Sequence, residues 1–512
     1  MIERKIIIGI ITSTEFLQEI QNIWNTQLLE SQMAKRIATW VMEYFEKYNK
    51  APGKDIEGVY YQKLKEGLPQ DIAEEIEEDI LPSLSEQYED ESLNLDYLLD
   101  QTRTYFKEKH LLRLSDEIRG LIDGGELLEA EKAACDYKPL ANESGMDLDL
   151  STPTALKRVE KAFKEASQPL IRYPRQLGDF WNSQLVRGSL VALMASEKRG
   201  KTFWLLDMSI RACQQRAKVV FFQAGDMTEG QQLRRLCIYL TKKSDNKKYS
   251  GKMHQPVRDC IRNQMNTCDR EERECDFGVF EDKTEEQIRK ETTLDELKQQ
   301  LKDNQDYIPC HHCKEYEHKN WGAVWIENVD TGKPLTSEEA QDAVETFFIN
   351  NKRRFKLSSH ANGTLSVKQI KALLDVWEKQ DDFTPDVIVV DYADLLTSDG
   401  RMEFRHQQNE IWKGLRNLSQ ERHCLVVTAT QADAKSYEQN RLKLSNFSED
   451  KRKYAHVTAM YGLNQDTKDR EKKIGIMRIN EIVIREGDFS NSNEVTVLQK
   501  LERGRPFLSS YW

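Results

Sequence analysis

Apolar residues recur along the chain in two rhythms. Up to about residue 135 the spacing is helical: Phe16, Leu17, Ile20, Ile23 and Trp24 fall on one face. A further helix is predicted over roughly 31–48, stopped at Ala51-Pro52-Gly53, and others over 105–123 and 126–135. The acidic run 74–90, broken at Pro82, reads as a solvated face. No catalytic pattern stands out, so residues 1–135 read as an all-α interaction domain. Over 136–153 the rhythm stops and Pro, Asn, Ser, Gly and Asp take over, the mark of a linker. A short helix with Pro153 near its first turn follows, to about Ala166. Its narrow stripe of Leu156, Val159 and Phe163 has to be covered elsewhere, for instance by a neighbouring subunit.

From about Ile171 the rhythm becomes α/β. Leu190–Met194 is a continuous apolar run and reads as a buried strand. Lys218–Gln223, Pro385–Asp391 and Cys424–Thr430 repeat the pattern, each apolar run ending in polar residues. The organisation expected is a helical domain over 1–135, a linker with a docking helix over 136–170, and an α/β domain over 171–512 with an insertion at about 250–325.

The first strand leads into Ala195-Ser196-Glu197-Lys198-Arg199-Gly200-Lys201-Thr202 and then an apolar helix. Strand, tight loop, Gly-Lys-Thr and helix form the layout of a P-loop, whose backbone N–H groups cradle phosphates. Residues 196–202 are the expected nucleotide cradle, with Lys201 on the β- and γ-phosphates and the Thr202 hydroxyl on Mg²⁺. The first glycine of the pattern is Ala195 here. Asp391, at the end of an apolar strand, is placed as the carboxylate that would hold Mg²⁺ through water. Nucleotide sites of parallel sheets lie at such strand ends.

Composition narrows the picture. The chain has 512 residues, room for two or three domains, with 38% hydrophobic and 31% charged residues. A net charge of −11 argues against wholesale coating of nucleic acid but leaves room for a local basic channel. No apolar run reaches transmembrane length, and the short Ile6–Ile11 patch lacks a cleavage site, so a cytoplasmic protein with no membrane partner is expected. The nine cysteines point to a reducing compartment and to metal rather than disulfides. Cys310-His311-His312-Cys313 has the C-x-x-C spacing of a Zn²⁺ knuckle; Cys260 and Cys268 are the expected second pair, with Cys275 as alternate. The insertion looks poor in apolar residues, so the metal is expected to supply its folding energy.

Gly-Lys-Thr at 200–202, Phe-Phe-Gln-Ala-Gly-Asp-Met-Thr at 221–228, Val-Ile-Val-Val-Asp-Tyr at 387–392 and Thr-Ala-Thr-Gln at 428–431 together resemble the core of DnaB-type replicative helicases. The resemblance spans about 170–512 without the cysteine insertion, and more weakly the helical front. It implies a RecA-like P-loop ATPase fold and a homo-hexameric ring that encircles single-stranded DNA. It further implies ATP or another NTP hydrolysed with Mg²⁺, and 5′ to 3′ movement that unwinds forked DNA. A separate primase and a helicase loader follow as partners, and a phage-encoded member, acting in the host cytoplasm, is suggested by the insertion. By the same resemblance Asp226 stands where the family has its catalytic glutamate and would polarise the attacking water. Gln431 matches the γ-phosphate sensor. Arg485 matches the arginine of a finger supplied in trans, whose companion lysine is Val483 here.

The loops after Asp391 and Gln431 carry Arg401, Arg405, Lys435, Arg441 and Lys443, basic residues in an acidic chain and the expected contacts to DNA phosphates. Two other readings remain. One is a RecA-like ATPase that loads or regulates replication or recombination proteins; the other is a recombinase.

Overall fold

The computed structural model describes all residues except 1, 22, 78–93, 136–155, 157–158, 161–162, 164–167, 272, 313–320, 399–403, 447–454 and 491. The chain forms two compact units, Met1–Ala162 and Phe163–Trp512.

In the first unit all described secondary structure is helical. Ile2–Thr12, Thr14–Ile20, Gln32–Tyr48 and the long Leu95–Asp123 helix close around one core that includes Ile6, Ile10, Phe16, Leu17, Ile37, Val41, Leu98 and Phe106. The Ile6–Ile11 patch is thus the middle of a helix buried on several sides. Ser13 and Ser31 cap their helices by accepting from the N–H groups of Phe16 (3.1 Å) and Ala34 (3.2 Å). The long helix packs through Tyr97–Phe106, and beyond that Leu111, Leu112 and Ile122 are exposed. Leu156 and Val159 are also exposed, at 68% and 45%; Phe163, which opens the second unit, is 80% exposed.

The second unit is built on a nine-stranded sheet in the order β11-β10-β9-β8-β1-β7-β6-β2-β5. β1 (Leu190–Ala195), β2 (Val219–Gln223), β5 (Phe355–Ser359), β6 (Val387–Asp391), β7 (Leu425–Gln431) and β8 (Ala459–Asn464) run parallel. β9 (Ile476–Ile484), β10 (Glu494–Lys500) and β11 (Arg505–Tyr511) extend it as an antiparallel meander. β1, β2, β6 and β7 are apolar at nearly every position because both faces are covered. Val191, Leu193, Phe221, Val389 and Val427 join one core with Trp204 and Leu236; Ala192, Met194, Phe222, Val390 and Val426 join the other with Leu374 and Trp412.

The insertion opens with β3 (Lys252–Cys260) and closes with β4 (Gly322–Asp330), which pair antiparallel. Between them, Thr293 and Glu296 make the expected capping box on the Leu294–Asp303 helix. One expectation is corrected. The insertion has a core of its own, with Ile261, Phe280, Ile288, Leu297, Tyr307, Trp325 and Ile326, completed by Ile476, Leu498 and Tyr511 from the last three strands. Its local sequence looks polar because part of that core comes from elsewhere in the chain, so apolar burial rather than metal alone holds it together.

The turn after β2 depends on Gly225. Its φ is +103°, and a Cβ there would come within 2.2 Å of the Asn362 Cα in the loop after β5. Gly225→Ala should therefore lower stability by about 1–3 kcal/mol and displace the adjoining Asp226. Denaturant unfolding beside the wild type checks this; equal stability would mean that the 360–363 loop gives way freely.

Candidate active site

The sheet order sets adjacent strand ends side by side. β1 ends in the P-loop, β7 in Gln431, β6 in Asp391, and β2 leads to Asp226. Glu197, Lys198, Gly200, Lys201, Thr202, Asp226 and Gln431 line one crevice of about 530 Å³, together with Phe203, Arg235, Tyr392 and Leu501. A cavity of similar size, about 590 Å³, lies at the antiparallel side of the sheet, but the charged residues lining it, Asp179, Glu481, Glu486, Asp488 and Glu494, are all acidic and unsuited to phosphate.

Gly200 starts the Lys201–Gln214 helix at φ +85°, where a Cβ would stand 2.9 Å from Leu501. Lys201 donates through Nζ to the Ala195 carbonyl (2.9 Å) and the Ser196 carbonyl (3.4 Å). Burial lowers its pKa, opposed by Asp394, Asp391, Asp226 and Glu197. A desolvated ammonium at a helix N-terminus is poised for a phosphate group. Ala195 in the glycine position is accommodated because the residue is still strand, in register with Gln431.

Thr202 Oγ1 donates to Asp391 Oδ1 at 3.3 Å, so the two expected Mg²⁺ residues meet. Asp391 is wholly buried, and its Oδ2 has no hydrogen-bond partner among the described residues. Burial first, and then the charge of Asp226, raise its pKa from 3.8 to about 6, with the Thr202 hydrogen bond, Arg235 and Lys201 opposing. A hydroxyl beside a buried carboxylate is an all-oxygen pair that fits a hard divalent cation. Asp226 is exposed in the same crevice. Gln431 donates through Nε2 to Glu197 Oε1 (3.1 Å), and its backbone N–H donates to Asp394 Oδ2 (3.0 Å). Ser196 Oγ and Ser436 Oγ lie 2.7 Å apart, and Arg199 reaches Gln465 Oε1 at 2.9 Å.

Arg235 was missed by the motif reading. Its guanidinium lies over the Phe203 ring (5.2 Å to the centroid); burial lowers its pKa while Asp391 and Asp226 raise it. The available signal was a cation beside the buried stripe of Gln232, Leu236 and Tyr239 on its helix. Tyr392, quoted in the 387–392 motif but given no role, lies under Lys201 (5.6 Å); Asp394, which accepts from the Gln431 N–H, was also missed.

Arg485 is not brought to the crevice. It follows β9, its backbone N–H donates to the Thr458 carbonyl (2.9 Å) ahead of β8, and its guanidinium bonds the Ala455 carbonyl. That is the end of the parallel strands away from the P-loop. Of the proposed DNA contacts, Arg401 lies outside the described residues, and nothing is described of the Arg405 and Lys435 side chains. Lys443 is exposed. Arg441 turns inward, donating to the Asn493 carbonyl (3.2 Å) and facing Glu494 (3.8 Å).

Of the proposed zinc ligands, Cys313 lies outside the described residues, and among the described ones no three His, Cys, Asp or Glu side chains group as metal ligands. Cys260 and Cys310 are nevertheless held at one place. Both donate their backbone N–H to Asp259 Oδ1, at 2.7 and 2.8 Å, and Tyr307 Oη donates to Oδ2 at 2.7 Å. Cys268 is partly exposed on the loop that follows; Cys275 is buried, its Sγ accepting from the Ile308 N–H (3.0 Å). No described helix is long and apolar enough to cross a membrane.

No protein-family model matches the chain, and no curated protein does. Among solved structures it is similar to a DnaB-like replicative helicase studied with its interactions with primase, at 13% identity and a TM-score of 0.43 over 98% of each chain. It is also similar to a second solved structure, an ATPase domain, at 14% identity and a TM-score of 0.44, over 71% of this chain and 100% of that one. At such scores neither likeness decides what the crevice does; its own residues carry that.

Lys201→Ala should reduce nucleotide hydrolysis at least about 100-fold without lowering the melting temperature, because it removes a desolvated charge and no core contact. Steady-state hydrolysis and a melting curve check both parts. Asp391 gives a pH signature. Its folded pKa, about 6, lies above the ordinary 3.8, so the folded state takes up the proton first. Its share of metal-free stability is full below about pH 4 and is lost as pH rises through 6, at up to about 1.4 kcal/mol per unit. Asp391→Asn should accordingly melt higher than wild type at pH 8 without metal, with the gap closing at low pH.

Proposed function

We propose that this chain is a ring-forming, nucleotide-driven DNA helicase of the DnaB type. The observation supporting this most is the convergence of Lys201, Thr202, Asp391, Asp226 and Gln431 at adjoining strand ends, with polar loops leaving from two of those ends. Lys201 and Arg235 would hold the γ-phosphate, and Asp226 would take the proton of the attacking water as the water's oxygen bonds to phosphorus and the bond to the leaving diphosphate breaks. Mg²⁺, on Thr202 and Asp391, would offset phosphate charge. Gln431 would report loss of the γ-phosphate to the loop that follows it.

A ring is supported by two features of the chain. Leu156, Val159 and Phe163 are each exposed, apolar residues that a neighbouring subunit would cover, and Arg485 sits away from its own crevice, as a residue acting on a neighbour's nucleotide would. Single-stranded DNA would pass the loops after β6 and β7, with phosphates contacting Arg401, Arg405, Lys435 and Lys443. Zn²⁺ in the insertion remains part of the proposal, through Cys310 and Cys313 with Cys260 and Cys268, or with Cys275 in place of one of that second pair, since a structural site takes four ligands. A loading or regulatory ATPase is the second reading. It is favoured by the inward turn of Arg441 and by Asp226, one methylene shorter than a glutamate.

A fork carrying both a 5′ and a 3′ tail should be unwound with ATP, and faster than a duplex carrying only a 3′ tail; the reverse order would contradict 5′ to 3′ movement. ATP hydrolysis without unwinding of any fork would favour the second reading. Mixing Arg485→Ala with Lys201→Ala subunits should recover part of the activity, because some mixed interfaces have both residues intact. No recovery in rings shown to mix would place Arg485 outside the trans site.

A further inference from the structure

Asp391 Oδ2 has company. Gln223 Nε2 and Oε1, Gln232 Nε2 and Oε1, and Ser359 Oγ also have no hydrogen-bond partner among the described residues. Gln223 and Asp391 are 0% exposed and Gln232 1%. The topology gathers these side chains. Gln223 is the register partner of Asp391 on one side and of Ser359 on the other. In-register neighbours on parallel strands point to the same face. That face is the one where Phe221, Val389 and Leu357 pack with Trp204 and Leu236, under the Lys201–Gln214 and Glu229–Thr241 helices. Gln232 lies one turn before Leu236 on the buried stripe of the second helix, at the helix end next to the strand C-termini. A row of amide and hydroxyl groups therefore backs Asp391 on the inner side of the crevice.

Each such group, buried and unbonded, costs about 1–3 kcal/mol. Apolar side chains at 223 and 232 would continue the surrounding core and avoid that cost. The Gln223 amide can donate to a carboxylate, and the nearest strand offers one with a spare oxygen. A carboxylate that holds a metal is itself oriented by such outer hydrogen bonds.

We infer that Gln223, backed by Gln232 and Ser359, positions Asp391 for the metal: the Gln223 amide N–H donates to Asp391 Oδ2 when metal and nucleotide are bound, and Gln232 and Ser359 satisfy the rest of the amide. The inference rests on the crevice being a metal–nucleotide site. Gln223 touches neither phosphate nor metal and is a positioning residue.

The test is Mn²⁺ binding, followed by electron paramagnetic resonance, to the full chain saturated with a non-hydrolysable ATP analogue. Analogue affinity is measured separately in a chelator. Gln223→Met keeps length and removes both polar atoms. Its Mn²⁺ affinity should fall about 10–100-fold, with chelator-phase analogue affinity unchanged. Gln232→Leu completes an apolar stripe, so its melting temperature should hold or rise while Mn²⁺ affinity still falls. Wild-type Mn²⁺ affinity in folded Gln223→Met overturns the inference; where that variant does not fold, Gln232→Leu decides in the same way. Wild-type protein that binds no analogue fails the nucleotide reading itself, a separate result.

Discussion

The parallel pairing of β1, β7, β6 and β2 is the constraint on which the rest depends. Met194 faces Thr430 and Ala195 faces Gln431; Val390 faces Thr428, and Asp391 faces Gln223. A slip of β6 or β2 by one residue would turn Asp391 or Gln223 into the opposite core and leave a carboxylate or an amide among Leu374 and Trp412. The apolar alternation that fixes the register on both faces also aims the chemistry. Packing and site are thus two consequences of one arrangement.

The crevice sets two bases against two acids. Lys201 and Arg235 are both partly desolvated beside Asp226 and Asp391, and the Lys201 ammonium rests on backbone carbonyls. A polyphosphate with its cation would supply the anion for the two bases and the charge for the two acids. The same groups are wired to the segment after β7. Ser436 meets Ser196, the Glu197 N–H donates to Tyr437 Oη (3.3 Å), and Gln431 holds the Glu197 carboxylate. One short 3₁₀ turn, Ala434–Glu438, touches the P-loop and leads on into the loop proposed to hold DNA, so a phosphate bound there would have a direct mechanical route to it.

Much of this was legible in the sequence because it is local. Continuous apolar runs marked β1, β2, β6 and β7, and their polar tips marked Lys201, Thr202, Asp391 and Gln431. What was not legible depends on partners distant in the chain. The insertion looked metal-dependent because part of its core, Ile476, Leu498 and Tyr511, lies about 150 residues or more beyond its end. Arg235 looked like any surface cation on an amphipathic helix until its helix was packed over Phe203. Arg441 looked like a free base in a loop and is turned to Asn493 and Glu494 of the β9–β10 turn. Gln223 and Gln232 carried a weak signal, polar residues where the apolar period calls for core, which only the strand register makes meaningful.

The central claim, that nucleotide crevices drive a ring around single-stranded DNA, is tested most directly by electron microscopy. The sample is the full chain with a non-hydrolysable ATP analogue, Mg²⁺ and a single-stranded oligonucleotide. The account predicts a closed six-membered ring with DNA density in its bore, next to the loops that follow β6 and β7, and with Arg485 reaching the neighbouring crevice. Single chains, or DNA bound on an outer surface away from those loops, would contradict it.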